Sequence, residues 1–307
     1  MNLKLSCADF SFPLLPHDAA LKVIALLGLH GVDVGLFSGR SHLRPETEFP
    51  APTKSGAKLR RQLAREGLVA ADVFLQIHEN FTDYAVNHPD AARRKSARRQ
   101  FLKTLDYAVA AGSKHVTILP GVIFETEPRA NSLARAADEL SWRVEQAVAM
   151  KLTVAVEPHL GSITDTPERA LQLAAGVPGL GLTLDYAHFT RAGFPDSRIE
   201  PLVGRATHFH ARCARRGRLQ CGFKENTIDF GRALRALNNH RFNGWIALEY
   251  VWIDWEHCDQ VDVLSESIQL RDCLIAAGAP NTASARIKNA PTSRGGARRS
   301  VFAEVPP

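Results

Sequence analysis

The 307-residue chain is short of the residues that would staple a fold covalently or carry it through a bilayer. Its five cysteines, Cys7, Cys213, Cys221, Cys258 and Cys273, are scattered and never form a C-x-x-C pair. That excludes a disulfide framework and a thiolate zinc site, and it suits a reducing, cytoplasmic setting. No apolar run approaches the roughly 18 residues of a membrane span, so no membrane partner is expected. Residues 1–15 lack a basic stretch followed by a long apolar one, so no signal peptide is expected either. Nor does either charge dominate strongly: 38 Lys and Arg face 32 Asp and Glu, a net of +6 with pI about 9.2. Much of that excess sits in residues 280–307, which carry five basic residues and one acid and show no apolar period. This stretch is expected to be a flexible basic tail. Residues 1–279 keep a net of only +2, which gives no reason to expect a nucleic-acid partner.

What the chain does have is alternation. Short apolar, β-branched runs occur at 3–11, 32–37, 70–76, 115–119, 153–157, 181–185, 207–210 and 245–250. Between them lie stretches with helical spacing. Leu102, Leu105 and Val109 share one face of 90–111, and Leu140, Val144 and Val148 share one face of 130–150. Asp18 can cap the first helix, Thr166-Pro167 opens another, and Gly28, Gly112 and Gly278 sit near C-termini. The strand candidates are nearly continuous apolar runs, as parallel strands covered on both faces should be. Eight βα units in 1–279 predict a single-domain (β/α)₈ TIM barrel, with a doubly wound sheet as the alternative.

The later strands end in groups that could hold a metal. TVAVE (153–157) breaks into Pro158-His159, GLTLD (181–185) continues into Tyr186-Ala187-His188, THFH spans 207–210, and WIALEY spans 245–250. Glu157, Asp185, one of His208 and His210, and Glu249 thus recur about one βα unit apart. Equivalent positions on successive barrel strands converge at the C-terminal rim. A carboxylate at the end of a buried strand is costly unless paired or metal-bound, so four such groups are best explained together. Three carboxylates and one imidazole form an oxygen-rich set that favours Mn²⁺, Mg²⁺ or Co²⁺ over structural zinc. Basic residues in 93–99 look like a solvated helix face, and Trp252 and Trp255 could wall a pocket.

These motifs resemble the xylose-isomerase-like sugar phosphate isomerases and epimerases. The similarity is most specific in VAVEPHLGSITDTPERALQL, LGLTLDYAHFTRAG, ATHFHAR, IDFGRALRAL and GWIALEY. The resemblance implies a TIM barrel with one divalent metal, Mn²⁺ foremost, held by Glu157, Asp185, His210 and Glu249. It selects His210 over His208 as the second His of an H-x-H pair, and it makes homodimers or homotetramers an expectation. It also implies substrate contacts from His188 and Arg216, with Arg215 an alternative in the basic loop 212–218. His159 joins the substrate-binding candidates. The ketose 3-epimerase branch carries a second Glu six residues past the first ligand. Here that position is Ile163, which sets the chain nearer the broader membership.

Such a site suits proton transfer beside a carbonyl. Glu157 or Glu249 would remove a proton and the other would return it, giving isomerisation or epimerisation of a sugar or keto-sugar through an enediolate. Departure of a hydroxyl would make the same step a dehydratase or lyase reaction. A rival of another class is the endonuclease IV type of DNA-repair enzyme, which needs three metals. Strands two and four end without ligands, at Gly35-Leu36-Phe37 and Leu119-Pro120-Gly121, and the late Asp candidate is Asp229-Phe230-Gly231.

Overall fold

All eight apolar runs form strands in the computed structural model, which describes residues 3–278. The basic stretch 280–307 lies outside the described residues. The strands are β1 (Leu5–Ala8), β2 (Gly31–Phe37), β3 (Val69–Gln76), β4 (His115–Ile118), β5 (Thr153–Val156), β6 (Gly181–Asp185), β7 (Ala206–Ala211) and β8 (Ile246–Leu248). Each pairs in parallel with the next, and Leu5 opposite Ile246 joins β8 back to β1. The ring is closed in sequence order, a (β/α)₈ barrel and not a doubly wound sheet.

Helices separate the strands: α1 (His17–Leu26), α2 (Pro52–Arg65), α3 (Ala91–Ala111), α4 (Arg129–Ala149), α5 (Pro167–Gly176), α6 (Tyr186–Arg191), α7 (Phe230–Asn239) and α8 (Val263–Gly278). Thr166 caps α5 by accepting the Arg169 N–H at 3.3 Å, and Gly112 closes α3 in the left-handed region at φ 87°. The first helix differs from its expected cap. It starts at His17 behind Pro16, and Asp18 sits inside its first turn, where its charge opposes the helix dipole instead of capping. Among the described residues, no helix is long and apolar enough to cross a membrane.

Two helix faces are rotated from their expected positions. On α3 the buried stripe is Ala97, Phe101, Thr104, Leu105 and Ala108, while Leu102 and Val109 are exposed. On α4 Leu140 and Val144 are buried as expected, but Ala147 takes the next position and Val148 faces solvent. Small alanines let the helix axes approach the barrel closely, so they compete with larger apolar residues for the buried face. The basic run on α3 is likewise not a purely solvated face. Arg94 and Arg98 reach the buried Glu139 of α4 at 3.1 and 2.9 Å, and the buried Arg143 meets it at 2.8 Å.

The barrel interior is more polar than its strands suggest in sequence. Residues two apart on a strand share a face, and the inward face carries Ser6, Asp33, Asp72, His115, Thr117, Thr183 and His208, all buried. They satisfy one another across the barrel. Asp33 accepts from Ser6 at 2.7 Å and meets His208 Nε2 at 2.5 Å. Asp72 meets His115 Nδ1 at 2.7 Å, and Thr117 meets Thr183 at 2.6 Å. Buried polar groups persist only when paired in this way.

Candidate active site

The C-terminal ends of β5 to β8 bring four side chains to one place. Glu157 follows β5 and continues its ladder, its N–H donating to the Ile118 carbonyl at 3.1 Å. Glu249 follows β8 in the same way, its N–H donating to the Ala211 carbonyl at 3.0 Å. Because the backbone is held by strand pairing, each carboxylate is aimed by a rigid element. His210 stands on β7 between them, its Nδ1 2.6 Å from Glu157 Oε1 and 3.1 Å from Glu249 Oε2. Asp185 ends β6 and caps α6, its Oδ1 accepting the Ala187 N–H at 2.8 Å. All four residues are buried.

The electrostatics separate the two glutamates. Burial and the neighbouring Glu249 push the Glu157 carboxyl up to about 7. Burial acts on Glu249 in the same sense, but His210 and Arg212 outweigh it and hold the carboxyl below its usual range. Burial would strip the proton from His210, yet Glu249, Asp33 and Glu157 surround it and raise its pKa well above the ordinary imidazole value. Asp185 is raised mainly by burial, against the pull of Arg212. These surroundings therefore favour the ionised form of Glu249 and the protonated form of His210, and they raise Glu157 toward the neutral pH range.

Arg212, two residues past His210, is a component the sequence did not single out. Its guanidinium donates to Asp185 Oδ2 through Nη2 at 2.6 Å and Nε at 3.0 Å, and approaches Glu249 at 3.5 Å. It also lies 3.0 Å from His188 Nε2. Arginine only donates, so that nitrogen is the unprotonated one. Burial and Arg212 accordingly hold His188 well below its usual pKa. Arg216 is placed elsewhere: it is exposed and lines a separate surface cavity with Gly193, Asp196 and Arg232. The residue within reach of the carboxylates is thus Arg212. Arg215 pairs with Glu225 at 3.3 Å, outside the site.

These groups open into a cavity at the barrel mouth, the place where barrels of this kind take small ligands. Glu157, Glu249, His159, His188 and Arg212 line it together with an aromatic wall of Phe10, Phe37, Phe74, Phe81 and Trp255. Gly35 makes part of that wall, since a Cβ there would meet the Phe10 ring at 2.5 Å. Trp252 lies outside it, in a groove with Pro13 and Leu14. His159 Nδ1 is 2.7 Å from the Leu160 carbonyl and donates to it, which leaves Nε2 a buried acceptor with no partner. Burial lowers its pKa to about 4, so the ring is neutral.

A divalent cation fits this donor set. Glu157, His210 and Glu249 offer ligand atoms within 4.8 Å of one another, and so do Glu157, Asp185 and His188. Glu249 Oε2 is buried and, although His210 Nδ1 stands 3.1 Å away, it accepts no well-aligned hydrogen bond, a condition that a cation bound to the carboxylate would relieve. His208, the alternative in the H-x-H pair, is instead part of the barrel floor with Asp33 and Asp72. Asp33 Oδ2 also lies 3.4 Å from His210 Nε2, behind the site. Replacing Asp33 with Leu strands two buried imidazoles and should destabilise the fold by about 3 kcal/mol in urea denaturation. A loss below about 1 kcal/mol would show that the floor network is not held by this carboxylate.

A closed βα barrel with convergent carboxylates and a histidine at its C-terminal rim belongs to the class of barrels built around a rim active site. The chain is a member of the xylose isomerase-like TIM barrel family, whose model matches residues 21–273. No curated protein sequence matches it. Among solved structures it is similar to the probable 3-DHS dehydratase AsbF, involved in petrobactin synthesis, from Bacillus anthracis. That pair shares 13% identity over 88% of this chain and 99% of the other, with TM-score 0.66. It is also similar to a D-psicose 3-epimerase from Clostridium cellulolyticum H10, at 14% identity over 90% and 99% with TM-score 0.70. The IOLI protein with a bound zinc atom matches at 15% identity over 90% and 98%, with TM-score 0.68. At these identities the likeness is one of fold.

Proposed function

We propose that the chain is a divalent-metal-dependent isomerase or epimerase of a sugar or keto-sugar, with Glu157 and Glu249 as its proton-carrying groups. The observation that carries this is the placement of two buried carboxylates on either side of one imidazole, Glu157 Oε1 at 2.6 Å and Glu249 Oε2 at 3.1 Å from His210 Nδ1. Before an ion binds, their surroundings bias Glu249 toward the ionised form and Glu157 toward the protonated one, and such unequal surroundings favour separate base and acid roles. Glu157, Asp185, His210 and Glu249 would hold the ion, Mn²⁺ by preference for this oxygen-rich set with Mg²⁺ or Co²⁺ as alternatives. When bound, the ion supplies positive charge beside the substrate carbonyl, which acidifies the neighbouring C–H. Neutral His159 presents its unpartnered Nε2 to a substrate hydroxyl, His188 lines the cavity beside it with its nitrogens engaged by Arg212 and the Leu160 N–H, and the aromatic wall excludes water from the reacting carbon.

Dehydration is the second reaction this site supports. A carboxyl with a pKa near 7 can protonate a departing hydroxyl as well as a carbon. The test is solvent deuterium incorporation by Mn²⁺-loaded protein over keto-sugars, inososes and keto-acids. Deuterium at the carbon beside the carbonyl of recovered substrate or its isomer supports proton transfer, and an unsaturated product that has lost water would identify the dehydratase. No exchange with any of them while the metal is bound would sink both.

Metal binding should depend on pH in a definite direction. Glu157 has a folded pKa above its ordinary 4.5, so the metal-free fold loses stability as pH rises from about 4.5 to 7. His210 is also raised, and its stabilising contribution, full below about 6.5, is lost as pH climbs through its folded value. Both groups must shed protons to act as ligands. The rise in melting temperature on adding Mn²⁺ should therefore be larger at pH 8 than at pH 5.5. Calorimetry in buffers of different ionisation enthalpy should show proton release, and an equal shift at both pH values would contradict the ligand set.

A further inference from the structure

The cavity is electrically lopsided. Its acids, Glu157 and Glu249, both come from the β5 to β8 side. In the closed ring β2 lies opposite β6, and the loop after β2 carries Arg40, which lines the same cavity. Arg40 Nη2 donates to Gln76 Oε1, and its guanidinium lies over the Phe37 and Phe81 rings at 5.6 and 5.9 Å. Its Nε is buried without an acceptor. Among the described residues no carboxylate comes within 4.0 Å of it. Glu79, whose charge acts on it, is exposed and forms no ion pair with it.

Arg40 therefore differs from Arg212, the other arginine of the cavity, which is neutralised by Asp185. A half-buried guanidinium with one neutral partner has forfeited hydration that nothing in the protein returns. Its planar fork is matched by carboxylate or phosphate oxygens. A neutral polyol would need no fixed charge at this end of the cavity, and Glu157 and Glu249 opposite disfavour a negative group beside them.

We propose that Arg40 is the anion-binding end of the substrate cavity, so that the substrate is a keto-sugar or keto-acid bearing a carboxylate or phosphate. The group sits across the mouth from Glu157 and Glu249, with the reacting carbon between. This deepens the proposed isomerase or dehydratase role and rests on it only for the identity of the reacting end.

The test is calorimetric titration of Mn²⁺-loaded protein with D-fructose, D-fructose 6-phosphate and D-fructuronate. At least one anionic probe should bind about tenfold or more tightly than fructose, a factor set by one charge-assisted hydrogen-bond pair. Phosphate and carboxylate are separated by which of the two is preferred. Arg40→Met should erase that preference, and Arg40→Lys, which keeps the charge and loses the fork, should retain part of it. Fructose binding as well as both anionic probes, binding of neither anionic probe, or an unchanged preference in Arg40→Met would each overturn the proposal. If the preference and its loss are seen but no probe exchanges a proton, the isomerase role fails while the anion site stands.

Discussion

Glu249→Gln should lower solvent-proton exchange by a factor of about 10³, the range lost when a general base is removed. The substitution keeps the size of the side chain and the backbone bond from its N–H to the Ala211 carbonyl. It removes the glutamate of the pair whose surroundings favour the ionised form. His210 and Arg212 supply that bias, through contacts to Oε2 of 3.1 and 3.5 Å. An amide accepts no proton at neutral pH, and its NH₂ would confront the same two cations. Glu249→Asp preserves the charge and should recover part of the rate. Measuring Mn²⁺ affinity of each variant beside the exchange rate separates a lost base from a lost ligand. A rate within tenfold of the original in Glu249→Gln would remove Glu249 from the chemistry.

Arg212→Met should destabilise the metal-free protein by about 3–5 kcal/mol, the cost of leaving a buried charge without its partner. Arg212 and Asp185 are both essentially buried, with side chains 4% and 1% exposed, so solvent cannot take over the interaction. Without the guanidinium, Asp185, Glu157 and Glu249 face one another with only His210 as counter-charge. Adding Asp185→Asn to the same chain should restore most of the loss, which identifies the pair as its source. Mn²⁺ should recover more stability in Arg212→Met than in the unsubstituted protein, because a cation replaces a cation. Denaturation of the three proteins, with and without Mn²⁺, checks each statement. If Arg212→Met were neutral, the guanidinium would not be what balances the acid cluster.

Arg212 also shows where sequence reasoning stops. In the run RCARRGR every arginine looks alike, and the family resemblance points to Arg216, with Arg215 as its alternative. Only the strand register shows that position 212 is still on the ladder's inward side, two residues past His210, while Arg215 and Arg216 have turned into the loop. The choice between His208 and His210 has the same origin. Both point inward, and their depth along β7 decides that one meets Asp33 and the other Glu157 and Glu249. Asp33 and Asp72 gave little signal, because single acids within apolar strands have no motif. Their partners, His208 and His115, are 175 and 43 residues away in the chain.

By itself the sequence determined the barrel and the strand ends on which Glu157, Asp185, His210 and Glu249 sit. Apolar runs at βα spacing have few ways to bury both faces, and a closed parallel ring is one of them. The tertiary structure alone decided which charges meet. It set the divergent acidities of Glu157 and Glu249, the pairing of Arg212 with Asp185, and the isolation of Arg40 across the cavity. Such properties depend on distance and burial between residues remote in the chain, where a few ångströms separate a satisfied charge from one that needs a ligand.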